Sequence, residues 1–108
     1  MKHEVIEKQG VTIIALKGDV DLESSPAARE ILLKTINGAG RVLVDLSAVS
    51  YIDSSGVASL VEALQASKKD HTQFALAAVS EPTRRVLELA RLDKVFTMHD
   101  SIDEAINN

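Results

Sequence analysis

From Val11 to Leu16 the chain reads VTIIAL, which places Val11, Ile13 and Ala15 on one side of an extended strand and Thr12, Ile14 and Leu16 on the other. A strand apolar on both faces belongs in the middle of a covered sheet. The preceding HEVIEK predicts a neighbouring strand, joined to it by a turn at Lys8, Gln9 and Gly10, and Gly18 interrupts the apolar run further on. The period then changes. In ESSPAAREILLKTING, Ala28, Ile31, Leu32 and Ile36 share one helical face, with Ser25 suited to the N-cap, Pro26 to the first helical position and Gly38 to the stop. RVLVDL, residues 41 to 46, is a short β-branched strand. A second helix is predicted from about Gly56 to Lys68, because Val57, Leu60, Val61 and Leu64 recur at the spacing of a buried stripe.

QFALAAV, residues 73 to 79, predicts another buried strand, and SEPTRRVLELARL a helix with Ser80 as cap and Pro82 in its first turn. Residues 95 to 97, VFT, predict a short last strand; SIDEAIN closes the chain, with Ser101 and Glu104 at capping-box spacing. Strands alternating with helices imply an α/β layer of largely parallel strands with right-handed crossovers. No linker, repeat or low-complexity segment divides the 108 residues, enough for one compact domain and one core.

Composition narrows what that domain can do. Hydrophobic residues make up 45% and charged residues 26%, as in ordinary globular proteins, but Tyr51, Phe74 and Phe96 are the only aromatics, so the core is expected to be aliphatic. The formal net charge is −4, and the only basic clusters are the pairs Lys68-Lys69 and Arg84-Arg85. Phosphate backbones need a basic stripe and single strands need stacking aromatics, so nucleic acid is not an expected ligand. The absence of cysteine removes disulfides, thiolate metal sites and thiol nucleophiles. The opening MKHEVIEKQG lacks an apolar signal core, and no run approaches the ~18 apolar residues of a membrane span. The expectation is a cytoplasmic protein without membrane insertion.

The chemistry concentrates in Asp53, Ser54, Ser55 and Gly56, where an apolar strand hands over to an amphipathic helix. In open α/β sheets sites gather past the carboxyl ends of strands. A nucleophile elbow needs glycine two residues before and after its serine; Ser54 has Gly56 after it but Ile52 before it. The histidines a triad would need, His3, His71 and His99, fall in segments expected to be solvated loops. A P-loop needs more glycines and a following lysine, which are absent here. Two readings survive together. Asp53 or Ser54 can cap the helix, since their side-chain oxygens accept from its unpaired N–H groups. Ser54 can also receive a phosphate, because a helix N-terminus favours negative charge, with Gly56 leaving the approach open to a partner's active site.

Three stretches carry a family resemblance. LKGDVDLESSPAARE contains a glycine, acid, hydrophobic, aspartate turn at Gly18, Asp19, Val20 and Asp21; VLVDLSAVSYIDSSGVASLV contains Asp53-Ser54-Ser55-Gly56; EPTRRVLELARLDKVFTMHDSIDEAI closes the chain. Together they resemble the STAS domains of bacterial anti-sigma factor antagonists, over essentially the whole chain. The resemblance implies a single STAS domain over residues 1 to 108, with a small mixed, largely parallel sheet and helices packed mainly on one face. It implies a phospho-regulated binding protein rather than an enzyme. A monomer with no cofactor and no metal is the accompanying expectation. Unphosphorylated, it would bind an anti-sigma factor that is itself a serine kinase; phosphorylation of Ser54 would release it, and a PP2C-type phosphatase would reset it. Asp21, Asp53, Ser55 and Gly56 would support partner binding, with Asp21 near the serine loop. The sequence departs from many phosphorylated members at Val57-Ala58-Ser59, where they carry a glycine after the hydrophobic residue. This leaves room for relatives with another output, such as a subunit of a lipid-transport ABC system, although those often lack an intact Asp-Ser-Ser-Gly.

Overall fold

The computed structural model describes residues 1–107, in which the chain forms β1 (Lys2–Lys8), β2 (Val11–Val20), α1 (Ser25–Ile36), β3 (Arg41–Ile52), α2 (Ser54–Lys69), β4 (Gln73–Ala77), α3 (Glu81–Leu89), β5 (Met98–His99) and α4 (Ile102–Ile106). The five strands pair in chain order, β1 antiparallel to β2 and every later pair parallel. The two-faced apolar pattern of β2 is used on both faces. Ile14, Leu16 and Val20 join the main core, while Val11 and Ile13 face a smaller one.

The main core lies between the sheet and helices α1, α2 and α3: Ala28, Leu32, Ile36, Val57, Leu60, Leu64 and Leu87 meet Val42, Val44, Leu46 and Leu76. On the opposite face α4 covers Val11, Ile13, Leu43 and Ala77, with Ala105 buried among them. Helices thus do lie mainly on one face. Arg41 anchors α4 by donating to the carbonyl oxygens of Ala105 and Ile106. The core is aliphatic apart from Phe74 and Phe96, and Tyr51 is exposed.

β3 runs to Ile52, six residues past the predicted end, and the reason is two bulges. Ala15 and Lys17 of β2 pair with Asp45 and Ala48, and Gly18 and Asp19 pair with Val49 and Tyr51, so β3 gains a residue at each step. Each insertion re-aims the strand, which lets Val44, Leu46, Val49 and Ile52 all enter the same core despite their uneven spacing. Further differences from the sequence reading are local. Ser24, not Ser25, is the N-cap of α1, and the last strand is Met98–His99 rather than residues 95 to 97. There Val95 and Phe96 instead close the turn after α3, through bonds from their N–H groups to the Leu92 carbonyl. Ser80 occupies the cap of α3 without bonding its backbone; its hydroxyl pairs with that of Thr83 at 2.9 Å. At α4, Ser101 accepts from the Glu104 N–H at 3.0 Å, as the capping-box spacing predicts.

Candidate functional site

The site forms where the carboxyl ends of β2 and β3 lie side by side. Val20 pairs with Ile52, and the Asp53 N–H adds one more bond to the Val20 carbonyl at 3.3 Å. This pairing brings the loop after β2, residues 21 to 24, against the start of α2.

Asp53 is the N-cap of α2. Its Oδ1 accepts from the N–H groups of Ser55 at 3.0 Å and Gly56 at 3.2 Å, and from the Ser55 hydroxyl at 2.5 Å. Its Oδ2 accepts from the Leu22 N–H at 3.2 Å, 31 positions away in sequence. One carboxylate therefore caps the helix and ties the β2–α1 loop to it. The Ser55 hydroxyl does most to hold the Asp53 pKa below its ordinary value; burial opposes it, and the N–H groups of Gly56, Ser55 and Leu22 each add to the lowering.

Asp21 is bound into its own loop. Its Oδ1 accepts from the Ser24 N–H at 3.1 Å and hydroxyl at 3.0 Å, and its N–H donates back to the Ser24 hydroxyl oxygen at 2.9 Å. The Ser24 N–H, then the Ser24 hydroxyl, lower its pKa, opposed by burial and, least of all, by the Asp53 charge. Asp21 and Asp53 line one open depression of about 450 Å³ with Leu22, Glu23 and Tyr51. The loop carboxylate is thus near the serine segment without bonding it.

Ser54 is the first residue of α2, exposed, and no hydrogen bond among the described residues engages its hydroxyl. Ser55 points inward to Asp53 and is half-buried. Two expectations change. The N–H groups of Ser55 and Gly56, which would hold an anion at a helix start, are already taken by Asp53. Gly56 does not face outward to admit a partner: it is buried, and a Cβ there would stand 2.5 Å from the Val20 carbonyl oxygen and 2.7 Å from Ile52 Cγ1. The glycine lets α2 seat against the end of β2.

The histidines are not gathered here. His3 lies in edge strand β1 and His99 in β5, so both are in strands rather than loops. His71 follows the far end of α2, whose 16 residues extend about 24 Å. Among the described residues no group of His, Asp and Glu is arranged to hold a metal ion, and no helix is long and apolar enough to cross a membrane.

The model of the family described as STAS domain matches residues 2–105. The chain belongs to the STAS domain family. This STAS domain is similar to the anti-sigma-F factor antagonist RsfB of Mycobacterium tuberculosis, 26% identical over 103 residues that cover 94% of this chain and 84% of the relative. Among solved structures it resembles an anti-sigma factor antagonist from Mycobacterium paratuberculosis, with a TM-score of 0.86 at 27% identity over 98% of this chain and 91% of that one. It also shares its fold with the Bacillus cell fate determinant SpoIIAA in the phosphorylated form, with a TM-score of 0.75 at 21% identity over 98% and 97% of the two chains.

Two large hydrophobic residues outside the motifs of the STAS domain also line the depression. Leu22 is 77% exposed and Tyr51 51% exposed, beside the acids of the depression. The available signal for Leu22 was an apolar residue isolated between Asp21 and Glu23, outside any strand or helix period.

The two depressed carboxylates set a sign for the pH dependence of stability. A carboxyl whose folded pKa lies below its unfolded one contributes stability that is complete above the unfolded value, near 4, and is lost as pH falls through the folded value. Asp53→Ala should therefore melt at lower temperature than wild type at neutral pH, with the gap narrowing as the solution is acidified below about pH 4. Thermal unfolding of both proteins across that range checks this, and a gap that stays constant with pH would show that the Asp53 charge contributes nothing.

Proposed function

We propose that this STAS domain is an anti-sigma factor antagonist whose binding is switched by phosphorylation of Ser54. It binds an anti-sigma factor with serine kinase activity while Ser54 is free, and leaves it once Ser54 is phosphorylated. The observation that carries this reading is the contrast between the two adjacent serines: Ser55 is committed to Asp53, whereas Ser54 is exposed with its hydroxyl unengaged at a pinned loop–helix junction. The similarity to antagonists of anti-sigma factors supports the role, and SpoIIAA supports the view that this fold accommodates a phosphorylated state.

In the transfer, Ser54 Oγ forms a bond to the γ-phosphorus of ATP as the bond to the β–γ bridging oxygen breaks. ADP leaves with that electron pair, and the serine proton passes to a base on the kinase. A PP2C-type phosphatase reverses the state by delivering water to the phosphorus, which restores the hydroxyl and releases inorganic phosphate. Because Asp53 already holds the N–H groups of Ser55 and Gly56, the new phosphate, at about −1.5 to −2 charges, would remain in solvent as added surface charge. The fold beneath it has no reason to change.

Intact-mass measurement after incubation with the anti-sigma factor kinase and ATP should show a single phosphate, absent in Ser54→Ala and retained in Ser55→Ala. A phosphate carried by Ser54→Ala would move the site elsewhere.

A further inference from the structure

We infer that the kinase partner grips this domain through Leu22 and Tyr51, two apolar anchors framed by carboxylates, and meets them with an apolar pocket rimmed by lysine or arginine. The inference rests on the phospho-switch reading and names the partner surface it requires. Single exposed apolar side chains are common and mean little. Here two of them line the same open depression, with Asp21, Glu23 and Asp53 as its remaining walls. An adjoining hollow of about 410 Å³ shares Asp21 and Glu23 and adds Asp19, Ser24 and Met1. No lysine or arginine lines either one.

Leu22 is also held in place. Its N–H is fixed on Asp53 Oδ2 and the next turn is closed by the Asp21–Ser24 bonds, so the loop carrying it loses little freedom on binding. Tyr51 projects from the bulged end of β3, where it pairs with Asp19. A rigid aromatic beside a pinned aliphatic is the composition of an interface centre, and the acids form its polar rim.

The charge chooses the occupant. A second copy of this chain would bring the same acids face to face across a two-fold axis, and like charges opposed in an interface are costly. A basic surface is drawn in instead. Ser54 then meets a different part of the partner, since it must reach the γ-phosphate of bound ATP. After transfer its phosphate lies against the remaining nucleoside diphosphate, and that repulsion lets phosphorylation release a partner whose rim is basic.

The test uses the anti-sigma factor kinase in its ADP-bound form and the full chain, by titration calorimetry. Leu22→Ala and Tyr51→Ala should each weaken binding about tenfold or more, with circular dichroism unchanged because both side chains are exposed. Glu23→Lys should weaken binding as well, and wild-type affinity should fall as salt is raised. Leu89→Ala, at a site 80% exposed on the end of α3, should bind like wild type. If either anchor variant binds within about twofold of wild type, or salt has no effect, while Ser54 is still phosphorylated, the proposed surface is wrong and the switch stands. If the kinase neither binds nor phosphorylates the wild-type chain, the switch reading falls and the surface falls with it.

Discussion

Gly56→Ala should destabilise the protein by about 2–3 kcal/mol, although alanine ordinarily favours a helix over glycine by about 1 kcal/mol. The competition is decided by what the added methyl group meets. A Cβ at position 56 would lie 2.5 Å from the Val20 carbonyl oxygen, 2.7 Å from Ile52 Cγ1 and 3.0 Å from Val20 Cγ1. The side chains could turn away, but the carbonyl is backbone and accepts from the Asp53 N–H. Relief therefore requires α2 to move off the end of β2, which pulls its first turn away from Asp53. Urea unfolding of the two proteins measures the difference, and a variant as stable as wild type would mean that α2 tolerates a looser seat. Because the junction also carries Ser54, the same variant should be phosphorylated more slowly.

That contact marks the limit of what sequence alone revealed. Strands and helices whose apolar residues keep one period were legible, as at Val11 to Leu16 or the stripe through Val57, Leu60 and Leu64. β3 was cut short at Leu46 because its core residues continue at 49 and 52, a spacing that makes sense only once the bulges against β2 are known. The Asp53–Ser54–Ser55–Gly56 segment stood out by composition, and a cap at its start followed from residue type. Which oxygen partner each group has did not. The bond from Leu22 to Asp53 spans 31 positions, and the packing of Gly56 on Val20 spans a comparable stretch of chain. Both depend on β2 and β3 ending side by side, a tertiary fact with no local signature. The cap of α1 differs for a local reason: two adjacent serines precede Pro26, and bonds to Asp21, three positions back, hold Ser24 rather than Ser25 at the helix start.

Ser54→Asp should lower affinity for the anti-sigma factor kinase about 100-fold, or about 2.7 kcal/mol, and leave the fold intact. The side chain is exposed and the serine hydroxyl holds nothing in place, so its loss breaks no bond. A carboxylate in the first turn of α2 is also favoured by the helix dipole, so weakened binding could not be put down to unfolding; an unchanged melting curve would verify this. The new charge arrives beside Asp53, on a surface already bearing Asp19, Asp21 and Glu23, and in the proposed switch it would face the nucleotide phosphates of the partner. Ser54→Ala, which adds no charge, should bind as wild type does and resist release by ATP. Ser55→Ala should behave differently from both: it removes the 2.5 Å bond to Asp53, so it should lower the melting temperature while leaving the phosphate acceptor in place. If Ser54→Asp binds its partner as tightly as wild type, then the exposed hydroxyl is not a switch. The chain would then be better read as a constitutive subunit, such as one belonging to a transport system, for which the charge at position 54 is irrelevant.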